Sequence, residues 1–332
     1  MFLYVTCDKI GSQTGGGSVT YNELQALNQL GSVDIINPKV TPDPFEAEKS
    51  YLNIDFSKYK LAHFYAGTFP ELTRKLKDHG VKITYTAAAH DLSLSREEFN
   101  AYGIPFDFPH INNPELWNKY LLSYLNADLV ICPSIHSKNV MHGFGCHNVS
   151  VIPHGCHEGH FKSLPKKFSV GYLGQIGPDK GLRYLIEAWS KLCYKDSFLY
   201  LAGSQSPHLI NLIRHYNAGN IIILGFVKHI SELYNSINLY VQPSVTEGFG
   251  IEILEAMTYG RPVVASDGAG AADCLHSCCK IFEKRNVNQL AEFIDLYKND
   301  SNDYSFRLIE HSKQYSWEKI QSAYVETWKK II

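Results

Sequence analysis

Short apolar, β-favouring runs recur along the chain, separated by longer stretches of helical period. Residues 2–5, Val33–Ile36, Leu61–Tyr65, Lys82–Thr86 and Leu129–Cys132 predict five strands. Helices are predicted between them at 18–30, 70–79 and 114–126. The first has an apolar stripe of Leu24, Leu27 and Leu30, with Thr20 and Glu23 at capping-box spacing and Gly31 as its stop. Ahead of it, the glycine- and serine-rich stretch ending Thr14-Gly15-Gly16-Gly17 reads as a flexible loop, and Pro38, Pro42 and Pro44 impose another. A turn-rich passage from Pro153-His154-Gly155 to Pro165-Lys166-Lys167 reads as a linker, after which the pattern restarts. Strands are predicted at 168–173, Phe198–Ala202, 221–224 and 239–241, with an amphipathic helix at 181–192. A last helix at 317–332 places Ile320, Tyr324 and Trp328 on one face. Strands alternating with helices imply an α/β chain of doubly wound parallel sheets. Its 332 residues suit two Rossmann-like domains, expected at 1–165 and 166–314, with 315–332 returning to the first.

The run from Pro243 to Asp267, PSVTEGFGIEILEAMTYGRPVVASD, carries the most chemistry. Glu247 and Glu255 bracket a Gly248-Phe249-Gly250 step between two predicted strands, and that step reads as a helix opening. A helix start presents unpaired N–H groups and a positive dipole end, hence an anion site. Glycines let a phosphate reach the backbone, and a carboxylate on each side can grip hydroxyls; together these describe a nucleotide sugar. The apolar neighbours Ile251, Ile253, Leu254, Ala256 and Met257 bury this helix, so Glu255 requires partners.

Charge narrows the classes. The chain has 31 basic and 33 acidic side chains, and its net charge of −2 is evenly spread. That excludes the basic footprint of a nucleic-acid binder and a polybasic membrane anchor. Residues 1–5 are too short an apolar run for a leader, and no stretch reaches the 18 apolar residues of a membrane span. The expectation is a cytoplasmic protein, peripheral contact with the inner membrane face being compatible. The eight cysteines lack a disulfide framework's spacing and read as buried small hydrophobes for the most part. His142, Cys146, His147, His154, Cys156, His157 and His160 crowd together but match no zinc signature. The triple glycine lacks a P-loop lysine and the dinucleotide spacing, which argues against a nicotinamide oxidoreductase.

With Gly260-Arg261-Pro262-Val263-Val264-Ala265 following it, the glutamate run resembles the family-4 (GT4) retaining glycosyltransferases of the GT-B fold. Thr14 to Gly17 is similar to that family's first glycine-rich loop and Thr86 to Asp91 to its histidine-aspartate element. Gly174 to Gly181 is similar to its basic loop and Gly225-Phe226-Val227 to its base-side loop. The resemblance implies two domains facing across a cleft, and metal-independent transfer from a UDP- or GDP-sugar to a glycan, lipid-linked or small-molecule hydroxyl. No Asp-x-Asp occurs and no cofactor is expected. It implies catalytic roles for His90, Lys180 and Glu247. Donor binding would involve Gly16, Gly17, Gln175, Lys180, Gly203, Val227, Glu247, Gly248, Phe249, Gly250, Ile251 and Glu255. Glu247 would hold the sugar's hydroxyls and Glu255 the ribose. One position departs: Gln175 stands where the family commonly has arginine, and glutamine donates a hydrogen bond without a charge. Arg183 is a candidate to compensate. Two alternatives stay open: a silent nucleotide-sugar binder, and a sugar-nucleotide epimerase on the same fold.

Overall fold

The computed structural model describes residues 1–11, 14–37, 48–65, 69–204, 211, 213, 215–216 and 220–332, the side chains of 109 and 110 excepted. The proline loop read at 38, 42 and 44 lies outside the described residues. The chain forms two compact units: Met1–Ala89 with Asp107–Gly155 and Trp317–Ile332, and His90–Phe106 with Cys156–Ser316.

In the first unit, β1 (Phe2–Thr6), β2 (Val33–Ile36), β3 (Leu61–Tyr65), β4 (Lys82–Thr86), β5 (Leu129–Cys132) and β6 (Val149–Val151) form one parallel sheet, ordered β2-β1-β3-β4-β5-β6. Every residue of β1 is buried, as expected where helices cover both faces of a parallel sheet. The first helix spans Gly15–Asn28 and starts earlier than its leucine stripe suggested. Thr14 caps it, accepting from the Gly17 N–H at 3.1 Å, so the glycines form its first turn and not a loose loop. Thr20 and Glu23 do not cap: the Thr20 hydroxyl donates to the Gly17 carbonyl, and Glu23 is buried. The Glu23 carboxylate accepts from Tyr4 at 2.9 Å and Tyr324 at 3.0 Å, with His63 Nε2 at 3.3 Å. Through Tyr324 this network engages the helix Trp317–Lys329, whose Ile320, Tyr324 and Trp328 are buried.

The second unit holds β7 (Ser169–Leu173), β8 (Phe198–Ala202), β9 (Ile221–Gly225), β10 (Leu239–Gln242), β11 (Val263–Ser266) and β12 (Lys280–Phe282), ordered β12-β11-β10-β7-β8-β9 and parallel throughout. One apolar cluster gathers Tyr234, Tyr240, Phe249 and Ile253, and a second gathers Leu185, Trp189, Leu290 and Ile294. The segment His90–Phe106 belongs to this unit through its helix Leu92–Ala101. There Glu98 accepts from Tyr184 at 3.0 Å and Arg285 at 2.8 Å, and Ser95 donates to Asp179 at 3.2 Å. Among the described residues, no helix is long and apolar enough to cross a membrane.

Candidate active site

In the second sheet the strand order reverses between β7 and β10, and loops leaving the carboxyl ends of two such strands border a crevice. The β7 loop carries Gln175, Asp179 and Lys180, and the β10 loop carries Thr246 to Ile251. Gly181 lets them meet. Its φ is 68°, and a Cβ there would lie well inside the 3.0 Å that real Cβ atoms keep from a neighbour, here the Pro243 carbonyl oxygen. The Val245 N–H then donates to the Asp179 carbonyl at 2.8 Å, tying the two loops. Lys180 Nζ consequently meets Glu247 Oε2 as an ion pair, with 18% and 21% of the two side chains exposed.

Glu247 is fixed from the β11 side as well. Its N–H donates to the Gly268 carbonyl at 2.9 Å, and its carbonyl accepts from Gly270 at 3.1 Å. Phe249 is buried as an anchor, and its carbonyl accepts from Ala271 at 2.7 Å. The helix begins later than the Gly248-Phe249-Gly250 step suggested, spanning Glu252–Thr258 with Ile251 as its cap. Gly250, at φ 88°, turns the chain into it. Residues 248–251 therefore form the approach to the helix, where first-turn N–H groups have no intrahelical partner.

The electrostatics are those of several carboxylates crowded near Lys180. Burial pulls the Lys180 ammonium down, but Glu247 and Asp179 outweigh it and hold it above the ordinary lysine range. Burial, then Glu255 and Glu247, push the Glu252 carboxyl up to about 8. Burial pushes Glu255 up to about 7, although the Tyr234 hydroxyl donates to its Oε2 at 3.0 Å. His90 is pulled below its ordinary value by desolvation and then by the Lys180 charge, so it stands neutral at neutral pH. Its neighbour Asp91 donates its N–H to Thr246 Oγ1 at 2.8 Å, and the Asp91 carboxylate caps the helix Leu92–Ala101.

His90, Lys180, Glu247, Glu255 and residues 248–251 thus share one unit, with Lys180, Glu247 and residues 248–251 on loops that follow β7 and β10. Gln175 is exposed in the Lys180 loop, its carbonyl accepting from Tyr172 at 2.9 Å. Gly203 ends β8 at φ 145°, packed against the Gly174 carbonyl where any side chain would collide. Val227 packs against the cluster containing Ala202, Tyr240 and Phe249. Gly16 and Gly17 belong to the first unit, in the first turn of the helix Gly15–Asn28, with the Asp8 carboxylate over Gly16. The Arg183 guanidinium lies over the Tyr184 and Tyr102 rings at 5.1 and 5.8 Å, engaged there and not with the Lys180–Glu247 pair. Sequence reasoning missed Glu252, Asp179, Tyr234 and Thr246; three glutamates within nine positions of one run were the available signal for the first. Among the described residues, no three His, Cys, Asp or Glu side chains are grouped to hold a metal ion.

Residues 167–299 match the family model described as Glycosyl transferases group 1. Over 183 residues the chain is 28% identical to the capsular polysaccharide biosynthesis glycosyltransferase CapM of Staphylococcus aureus, covering 50% of this chain and 48% of that one. The chain spans about half the length of the curated relatives it matches. Among solved structures, sucrose-phosphate synthase from Thermosynechococcus elongatus superposes with a TM-score of 0.78 at 18% identity, covering 99% of this chain and 98% of that one. Anabaena HepE, solved with UDP-glucose, gives a TM-score of 0.74 at 20% identity, covering 99% and 100%. These neighbours establish the fold as GT-B, two parallel six-stranded α/β sheets. Residues 167–299 are thus similar to the group 1 glycosyltransferases.

Proposed function

We propose that this protein transfers a sugar, with retention of anomeric configuration, from a nucleoside-diphosphate sugar to a hydroxyl acceptor. The observation that carries the reading is the Lys180–Glu247 pair at the strand reversal, beside a glycine turn opening onto a helix start. Lys180 and the amides around residues 248–251 bind the diphosphate, and Glu247 accepts from sugar hydroxyls. Glu255, oriented by Tyr234, accepts from the ribose. Neutral His90 donates or accepts a hydrogen bond at the sugar or acceptor, held there by the Asp91–Thr246 bond.

In the reaction, the bond from the anomeric carbon to the diphosphate oxygen breaks, and the acceptor oxygen bonds to that carbon on the same face. The acceptor's proton passes to the departing diphosphate oxygen. Lys180 and the turn amides stabilise the growing negative charge, a term worth about 3–4 kcal/mol per preorganised donor. The donor is a UDP- or GDP-sugar, and the acceptor a glycan, a lipid-linked glycan or a small molecule. The first unit is the acceptor side, while its Gly16 and Gly17 belong to the donor-binding set. Replacing Glu247 with alanine then lowers the transfer rate by roughly 100-fold or more while the unfolding transition stays near the parent's. An unchanged rate refutes its role.

One observation favours a second reading. Gln175 is neutral and exposed, and Arg183 is engaged on aromatic rings, which leaves Lys180 as the cation the β7 loop brings to the diphosphate. A donor-binding protein without turnover fits that charge balance. Calorimetric donor binding with neither hydrolysis nor transfer across an acceptor panel selects it. Conversion of the donor with no acceptor present selects an epimerase instead.

A further inference from the structure

The second unit carries a second reactive cluster at the other edge of its sheet. Strand β12 runs parallel to β11, pairing Lys280 with Val264 and Phe282 with Ser266, so residues just ahead of β12 sit at the amino ends of the strands. The turn there reads His276-Ser277-Cys278-Cys279. The Cys278 N–H donates to His276 Nδ1 at 3.1 Å, which fixes that nitrogen as the lone-pair side of the ring, and Cys278 Sγ lies 3.1 Å from the same atom. The imidazole is thus placed to take the thiol's proton. Cys278 is half-buried, whereas the adjacent Cys279 is buried in the core.

Cys278 opens on a cavity of ≈ 380 Å³. Lys280 and Arg307 bring two cations to it, Asp300 one carboxylate, and Tyr297 and Tyr304 two rings. The His311 ring packs against His276 at 5.2 Å. A cavity with a surplus of positive charge and aromatic walls suits a small anionic molecule far better than it suits a peroxide, which needs no cavity. We infer that Cys278 is a nucleophilic thiol that exchanges with low-molecular-weight disulfides bearing carboxylates, with His276 as its base. The Cys278 sulfur attacks one sulfur of the disulfide as its S–S bond breaks. A mixed disulfide forms on Cys278, and the second half leaves as a thiolate that takes the proton held by His276. The Cys279 thiol and then His276 also hold the Cys278 pKa below the ordinary thiol value against the effect of burial, as such a role requires.

The test uses dithiobis(nitrobenzoate), a dianionic disulfide, on the whole folded protein carrying Cys193→Ser, which removes the exposed thiol. One thiol should release the coloured thiolate about tenfold faster than the rest near neutral pH, and peptide mapping should find the mixed disulfide on Cys278. His276→Gln should slow that phase about tenfold and move its pH inflection upward. Lys280→Gln should slow it with the dianionic reagent and leave labelling by neutral iodoacetamide unchanged. A fast phase mapping to Cys7 or another cysteine, or one indifferent to His276→Gln, overturns the inference. Because mapping needs no change at Cys278, misfolding of a Cys278 variant does not blunt the test.

Discussion

Gly181→Ala puts the geometry of the Lys180–Glu247 pair under direct strain. Position 181 has φ 68°, which costs an L side chain roughly 1–2 kcal/mol. The new Cβ would also collide with the Pro243 carbonyl oxygen, which must retreat by at least about 1 Å to reach the 3.0 Å floor for such contacts. Overpacking of that kind adds about 1–3 kcal/mol, for a total loss of roughly 2–5 kcal/mol. Pro243 lies two residues before Val245, whose N–H ties the loops to the Asp179 carbonyl, so the retreat draws Glu247 from Lys180. A misplacement of about 1 Å in a preorganised site costs on the order of 100-fold in rate. Gly80→Ala is the control: φ is 77° there, but nothing lies within 4 Å of the added atom. Thermal unfolding should show Gly181→Ala losing more stability than Gly80→Ala, and donor turnover should fall in the first variant alone. Equal stability losses, or turnover within threefold of the parent in Gly181→Ala, refute the reasoning.

Other predictions follow from the same geometry. Glu252 and Glu255 have folded values of about 8 and about 7 against an ordinary 4.5, so the folded unit holds more protons in between. The stability they contribute is full below about 4.5 and lost as pH rises through about 8; calorimetric unfolding from acid to mildly alkaline pH should show the decline, and Glu252→Gln should remove most of it. Gln175→Arg should raise kcat/KM for the donor roughly tenfold by restoring a second cation, checked by initial-rate kinetics. Glu23→Ala leaves Tyr4, Tyr324 and His63 facing a void and should destabilise the first unit by about 3–5 kcal/mol in denaturant unfolding. Thr246→Val removes the acceptor for the Asp91 N–H; it should cost about 1 kcal/mol of stability and lower turnover, with Thr246→Ser restoring both.

The central strands were legible because their residues are apolar on both faces, as in β1 and β10. Strand β12 escaped notice: it has three residues at a sheet edge and no full period to read. The helix Leu92–Ala101 escaped for a different reason. Its buried residues are Ser95 and Glu98, so it shows no apolar stripe, and what holds it is hydrogen bonding to Asp179, Tyr184 and Arg285. The first helix was misplaced at its start because threonine at 14 and threonine at 20 offer the same capping chemistry in the sequence, and only Thr14 caps; burial of Glu23 among aromatic hydroxyls is a tertiary fact. At the site, the glutamates and the loop lysine could be named from their runs. Their pairing across 67 positions could not, because it depends on the strand reversal and on Gly181. The late helix start moved Glu252 into the same cluster, where burial and then the neighbouring carboxylates make it hard to ionise.

The account rests on an anion of defined shape meeting Lys180 at the reversal of the second sheet. Titration calorimetry of UDP- and GDP-sugars against the parent and Lys180→Met tests this most directly. At least one nucleoside-diphosphate sugar should bind the parent and bind Lys180→Met tenfold or more weakly, about 1.4 kcal/mol, with the free nucleoside unaffected by the change. Binding that is equal in both proteins, or absent from the parent for every donor, contradicts the account.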